Sequence, residues 1–289
     1  MFGMLARLVV ACGVAASRAG ARACDLVEAE WGTVCRCNAT FCDEIEAVGA
    51  SLDADEIVVF TTSKAGLRLA RSTTAFVSEN ATESWRRVSV DAATAYQTIL
   101  GWGGALTDAA AITLGKMASS EKILAQYYGP TGAEYSLGRV PVGSCDFSTH
   151  IYSYDDVDGD YDLVNFDVSV DSDVNATGDK LGLVRRVLAM SARDLRLFAS
   201  PWSPPAWMTE LNSTVGRPKL KGVAGGETHR AWANYLSRFL AAYAEAGVPF
   251  WGLTVQNEPA GLLASKRGPG VLFSSSSREP RGETDVARA

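Results

Sequence analysis

An α/β fold built on a parallel sheet is what this 289-residue sequence predicts, and three observations predict it. Apolar strand-like runs alternate with amphipathic helical stretches, reaching a fourth strand near residue 255, and that alternation is the pattern of a parallel sheet. The runs close in polar or aromatic groups at Asp108, Asp146, Trp202 and the Asn257–Glu258 pair, as the C-terminal rim of a (β/α) barrel does. No G-x-G-x-x-G follows the first strand and no P-loop occurs, which sets aside a doubly wound nucleotide-binding sheet. At 47% hydrophobic residues the chain can bury a sizeable core. Its net charge of −6, without a basic run, gives nucleic acid no purchase.

Residues 1–23 read as a signal peptide: one Arg, a short apolar stretch, then small residues ending in Ala21-Arg-Ala23. The stretch is too short to span a bilayer. Cysteine usage agrees with export. Cys24, Cys35, Cys37 and Cys42 crowd together, while Cys145 stands alone downstream. Four cysteines permit three pairings, and the sequence does not choose among them. A zinc site fits poorly, because the spacing is not C-x-x-C and the histidines, His150 and His229, are distant. Sequons at Asn38, Asn80, Asn175 and Asn212 point the same way. The secretory pathway is the expected route.

Residues 24–95 read as a small β module: a cystine-stapled start, then strand-like pieces at 56–61, 66–70 and 85–90 separated by turn residues. The barrel-type domain occupies 96–263. Its first strand is expected over the apolar run 96–102, followed by one helix over 109–128 with Ile112, Leu114, Met117, Ile123 and Leu124 as apolar positions. A strand at 136–142 follows, and then an amphipathic helix over 180–193 that places Leu181, Val184, Val187, Leu188 and Met190 on one face. Next come a strand at 195–200 and a helix at 227–246, stopped by Gly247, that buries Trp232, Tyr235, Leu236, Phe239, Leu240 and Tyr243. The last strand, Phe250 to Val255, is set off by Gly247 and Pro249 before it and Pro259 after it.

Glu258, at the mouth of that last strand, is a carboxylate where a (β/α) barrel keeps its chemistry. Trp202 lies in a Pro-rich loop after a strand and offers a flat apolar face to a sugar ring, while Trp232 and Trp251 are expected in the core. The acidic stretch 155–162 misplaces its Gly for an EF-hand and is expected to be a solvated loop. No metal and no cofactor is expected.

Four motifs now carry a resemblance: Gly101-Trp-Gly-Gly-Ala-Leu-Thr-Asp108, Arg139-Val-Pro-Val-Gly-Ser-Cys-Asp-Phe-Ser148, Ala199-Ser-Pro-Trp-Ser-Pro-Pro-Ala-Trp207 and Asn257-Glu-Pro259. Together with the cysteine-rich start they resemble the glucosylceramidases, the lysosomal acid β-glucosidases of glycoside hydrolase family 30, over roughly residues 21–263. The resemblance implies a (β/α)8 TIM barrel, of which about the first half is present, beside a small N-terminal disulfide-stapled β module. It implies the cystines Cys24–Cys35 and Cys37–Cys42, with Cys145 free. It implies retaining hydrolysis of glucosylceramide or a related β-glucoside, working at a membrane surface. In that chemistry two carboxyl groups stand about 5–5.5 Å apart. Glu258 matches the acid/base, Asn257 the group that holds the sugar 2-hydroxyl, and Asp108 and Trp202 the groups that hold the other hydroxyls.

In the family the nucleophilic Glu lies near the end of the seventh strand, and this sequence reads as four. The expectation is therefore a chain that bears the acid/base and lacks the nucleophile. Residues 264–289, rich in Gly, Ser and Arg, read as a disordered tail outside the resemblance. The alternative function is a glycan- or glycolipid-binding or regulatory fragment without catalysis.

Overall fold

The computed structural model describes residues 25–30, 32–42, 52–53, 55–64, 67, 69–76, 91, 93–216, 219–259 and 286–288. Two compact units divide the chain, Met1–Cys37 with Phe41–Leu100 and Asn38–Thr40 with Gly101–Ala289. The first holds two antiparallel hairpins: β1 (Leu26–Ala29) with β2 (Gly32–Cys35), and β3 (Glu56–Thr61) with β4 (Ala70–Ala75). The second piece of the β module was expected at 66–70. Pairing of Glu56 with Ala75 and of Thr61 with Ala70 places it at 70–75 instead, because the partner's length and the turn set the register. The expected strand at 85–90 lies outside the described residues.

In the second unit β5 (Gly103–Ala105), β6 (Leu137–Val142), β7 (Arg196–Pro201) and β8 (Gly252–Thr254) lie side by side in that order and run parallel. Helices connect them: α1 (Asp108–Gly115) and α2 (Ser120–Tyr128) after β5, α3 (Lys180–Met190) after β6, and α4 (Glu227–Glu245) after β7. A last strand, β9 (Val286–Arg288), pairs antiparallel with β8, so the segment 264–289, expected without a strand, supplies one.

The first barrel strand is not the apolar run 96–102. That run has no regular structure, and Tyr96 and Trp102 are 86% and 71% exposed. The strand begins at Gly103 because backbone proximity selects it: a Cβ on Gly103 would sit 1.7 Å from the Leu137 carbonyl oxygen. Only glycine allows that approach. The helix expected over 109–128 is broken into two at Lys116–Ser119. Its first half starts with Thr107 capping the Ala110 amide.

Helical periodicity proved reliable where it was strongest. Trp232, Tyr235, Leu236, Phe239 and Tyr243 of α4 are buried, and Leu240 is partly so. Phe239 and Tyr243 lie 4.4 Å apart between ring centroids, and Phe250 stands 5.4 Å from each. Tyr154 stacks on Phe239 at 5.5 Å and on Tyr235 at 5.8 Å. This aromatic seam fastens α4 to the sheet and to the segment after β6. Aromatic pairs add to plain area burial.

Candidate active site

One arginine organises the mouths of β6, β7 and β8. Arg139 sits half-buried on β6 between Gly138 and Val140, both buried. Its Nη2 donates to Ser200 Oγ on β7 at 2.9 Å and to Asn257 Oδ1, just past β8, at 2.6 Å. Its guanidinium carbon lies 4.5 Å from the centre of the Trp202 ring, a cation–π contact. Ser200 Oγ is bonded in turn to Thr254 Oγ1 on β8. Burial pulls the Arg139 guanidinium below its usual value, and the nearby Cys145 and Glu258 pull it back up. An arginine stays cationic under such shifts.

The sequence-level candidates Trp202, Asn257 and Glu258 are thereby brought together. Asn257 offers Oδ1 to Arg139, so its Nδ2 faces elsewhere as a donor. Its backbone amide donates to the Pro201 carbonyl at 2.9 Å, and Gln256 Nε2 donates to the Trp202 carbonyl at 2.7 Å. Trp202 is 4% exposed. Its indole N–H and Gln256 Oε1 are buried without a partner in the protein, the condition of groups that receive water or a ligand. Glu258 is exposed and its backbone is left-handed, with φ +44°. Backbone strain of this kind collects at functional sites. A donor amide, an indole N–H and a carboxyl group on one rim can bind a hydroxylated ring and pass a proton to it.

Asp108 lies just past the end of β5. It opens α1 with 0% exposure. Its Oδ2 accepts from Ser148 Oγ at 2.5 Å, its Oδ1 lies 3.2 Å from Lys180 Nζ, and Tyr152 OH reaches both oxygens at 3.0–3.1 Å. Lys180 also pairs with Asp171 at 2.9 Å and bonds Tyr152 OH at 2.8 Å, while Tyr154 and Tyr243 donate to Asp171 Oδ2 at 2.6 and 2.5 Å. Asp146 is exposed just beyond β6.

The acidic stretch 155–162 is only partly the solvated loop expected. Asp155 is 2% exposed, its carbonyl accepts from Trp207 Nε1 at 2.9 Å, and burial pushes its carboxyl up. Among the described residues no group of three or more His, Cys, Asp or Glu could hold a metal ion. Cys37 and Cys42 form a disulfide, and Cys145 is free and buried. Burial pushes its thiol up. The Cys24–Cys35 pairing and Asn80 lie outside the described residues. Asn38, Asn175 and Asn212 are exposed.

Sequence reasoning did not single out Arg139, Gln256 or the Lys180 cluster. The one available signal was a charged residue inside an apolar strand, at Arg139.

Residues 99–281 match the glycosyl hydrolase family 30 TIM-barrel domain, a match that runs past residue 263 into the segment expected to lie outside the resemblance. The chain is 40% identical over 238 residues to a protein named putative glucosylceramidase 4 from Caenorhabditis elegans, covering 82% of this chain and 44% of that one. It is 36% identical over 234 residues to the lysosomal acid glucosylceramidase of Mus musculus, covering 80% of this chain and 44% of that one. It thus spans less than half the length of either relative. The crystal structure of SrfJ from Salmonella typhimurium superposes with a TM-score of 0.56 at 27% identity, over 71% of this chain and 44% of that one. An endo-β1,6-glucanase superposes at 0.59 and 22% identity, over 76% and 45%, and shows the fold alone. Sequence match and strand topology agree: the chain belongs to glycosyl hydrolase family 30.

Proposed function

We propose that this chain carries the acid/base half of a retaining β-glucosidase site, whose substrate is glucosylceramide or a related β-glucoside. The observation that carries it is the Arg139–Asn257–Trp202 group beside Glu258. Arg139 fixes the Asn257 amide with Nδ2 outward, where a sugar hydroxyl oxygen can accept from it. That contact strengthens as the ring flattens towards an oxocarbenium ion. Trp202 supplies an indole N–H for a second hydroxyl. Glu258, exposed at the rim, protonates the glycosidic oxygen and later takes a proton from water. Its partner, the nucleophile that attacks the anomeric carbon, belongs by the family pattern to a later strand. The kinship with glucosylceramidases supports a lipid aglycone met at a membrane surface. The Cys37–Cys42 disulfide and the exposed sequons support passage through the secretory pathway to the lysosome or the cell exterior.

The test is a polypeptide in which this chain is continued by the second half of a glucosylceramidase barrel. There Glu258→Ala should cut hydrolysis of poor leaving groups by about 10²–10⁴-fold, the usual worth of general acid–base help. Added azide should restore turnover of an activated aryl β-glucoside. Equal, unrescued loss on every substrate would remove Glu258 from the role.

A further inference from the structure

Asp155, in the segment between β6 and α3, is a buried carboxyl group with half of its bonding capacity unused. It is 2% exposed. Its Oδ1 accepts from the Val157 amide at 3.1 Å, whereas Oδ2 is sealed from solvent without an N–H or hydroxyl donor. The side chain that meets it is another carboxyl group, Asp160, and the two are hydrogen-bonded. A carboxylate has no hydrogen to give, so a bond between two carboxyl groups needs a proton on one of them. Their surroundings decide which. Asp160 Oδ2 accepts from the Asn165 amide at 2.7 Å and from Asn165 Nδ2 at 2.9 Å, contacts that favour its charged form. Asp155 is pushed up by burial and by the charges of Asp160 and Asp156, against the pull of the Val157 amide. Asp156 is held by Ser153 Oγ at 2.6 Å. From α4, Arg238 donates to the Leu163 and Asp162 carbonyls at 2.7 and 2.9 Å, and the Tyr235 hydroxyl accepts from the Tyr154 amide at 2.9 Å.

The backbone of Asp155 reaches further. Its carbonyl accepts from Trp207 Nε1 at 2.9 Å, and Tyr161 meets the Trp207 ring edge-on at 5.2 Å. Trp207 is itself buried and ends the Pro-rich segment that carries Trp202.

We propose that Asp155 and Asp160 share one proton, carried by Asp155 and donated to Asp160, and that this pair is an acid-dependent latch holding the 155–163 loop against Trp207. The sign follows from linkage. A fold that favours the neutral acid gains stability that is complete below the ordinary aspartate value near 3.9 and lost as pH climbs through the raised one. Above that point the loop holds two facing carboxylates, one of them buried, and the Trp207 bond opens more often. The latch does not depend on the glucosidase reading.

The experiment is NMR on the folded 289-residue chain, with aspartate carboxyl carbons and tryptophan indole nitrogens labelled. One carboxyl signal should titrate above the ordinary aspartate range and vanish in Asp155→Asn. In Asp160→Asn, whose amide can donate to an ionised Asp155, the proton affinity of Asp155 should fall at least about tenfold. The second readout is solvent exchange of the Trp207 indole N–H, assigned with Trp207→Phe. Asp155→Asn keeps a neutral donor towards Asp160 at every pH and serves as the control. Below the Asp155 titration, wild type and Asp155→Asn should exchange alike. Above it, wild type should exchange roughly 10- to 100-fold faster, the equivalent of one hydrogen bond to a charged group. An Asp155 that titrates in the ordinary range, or that keeps its affinity in Asp160→Asn, overturns the shared proton. Exchange that stays equal in the two proteins on both sides of the titration overturns the latch.

Discussion

Replacing Lys180 by Met, an unbranched side chain one atom shorter, deletes one charge from a site that water does not reach. The lost ammonium stands 2.9 Å from Asp171, 3.2 Å from Asp108 and 2.8 Å from the Tyr152 hydroxyl. At about 3 Å and an effective dielectric near 20, each ionic contact is worth about 5 kcal/mol. The cost of stripping water from three charges offsets most of that. What remains after removing one partner of a buried pair is about 3–5 kcal/mol of destabilisation, a large part of the ~5–15 kcal/mol that holds a typical domain together. Urea denaturation followed by far-UV circular dichroism measures it. The double variant Lys180→Met with Asp171→Asn should be less damaged than the two single losses added, by about 1–3 kcal/mol, because the neutral amide no longer needs the ammonium. Burial pulls the Lys180 ammonium down, but Asp171 and Asp108 outweigh it and hold it above the usual lysine value. A raised cation contributes stability that is complete below the ordinary lysine value and is lost as pH climbs through the raised one. The wild-type contribution of Lys180 is therefore constant between about pH 5 and 8, well below the ordinary value near 10.4. A Lys180→Met chain within about 1 kcal/mol of wild type, or single losses that simply add, would refute this account.

Burial pushes Tyr128 up to about 12 and carries Tyr152, Tyr154, Tyr235 and Tyr243 well above the ordinary tyrosine range. Their neutral forms contribute stability that is lost as pH rises past that range. Absorbance titration at alkaline pH should show them ionising together with unfolding, and reversible ionisation in a folded chain would contradict it. Arg139→Lys should weaken imino-sugar binding about 10- to 100-fold, since a lysine cannot span Ser200 and Asn257 with one planar fork; calorimetry reads the loss, and unchanged affinity would detach Arg139 from the site. Peptide mass spectrometry of secreted protein should find Cys37 joined to Cys42 and Cys145 as a thiol. A disulfide to Cys145 would contradict its burial beside Ser148.

The strongest periodic signals translated directly into structure. The i, i+3, i+4 spacing along α4 named the side chains that meet Phe250, and the polar pair after the last apolar run marked the rim. What the sequence hid depends on distant partners. The run Tyr96–Trp102 has the composition of a strand, yet the strand forms where two consecutive glycines let the backbone close on Leu137. Nothing local to Asp108 says that Lys180 and Tyr152, more than forty residues away, will reach its carboxylate. Arg139 was visible only as an oddity among apolar neighbours. Its partners lie 61 and 118 residues on, at Ser200 and Asn257.

The left-handed backbone at Glu258 sets folding and chemistry against each other at a single position. A side chain there costs about 1–2 kcal/mol, while glycine would adopt the same φ freely and lose only about 0.4–1 kcal/mol through its looser unfolded state. Glu258→Gly thus removes the proposed acid/base carboxyl and leaves the fold no weaker, and Glu258→Ala keeps the strain without the carboxyl. Directed evolution for heat resistance alone, run without an activity screen, would drift towards glycine at residue 258 and give up the proposed proton donor.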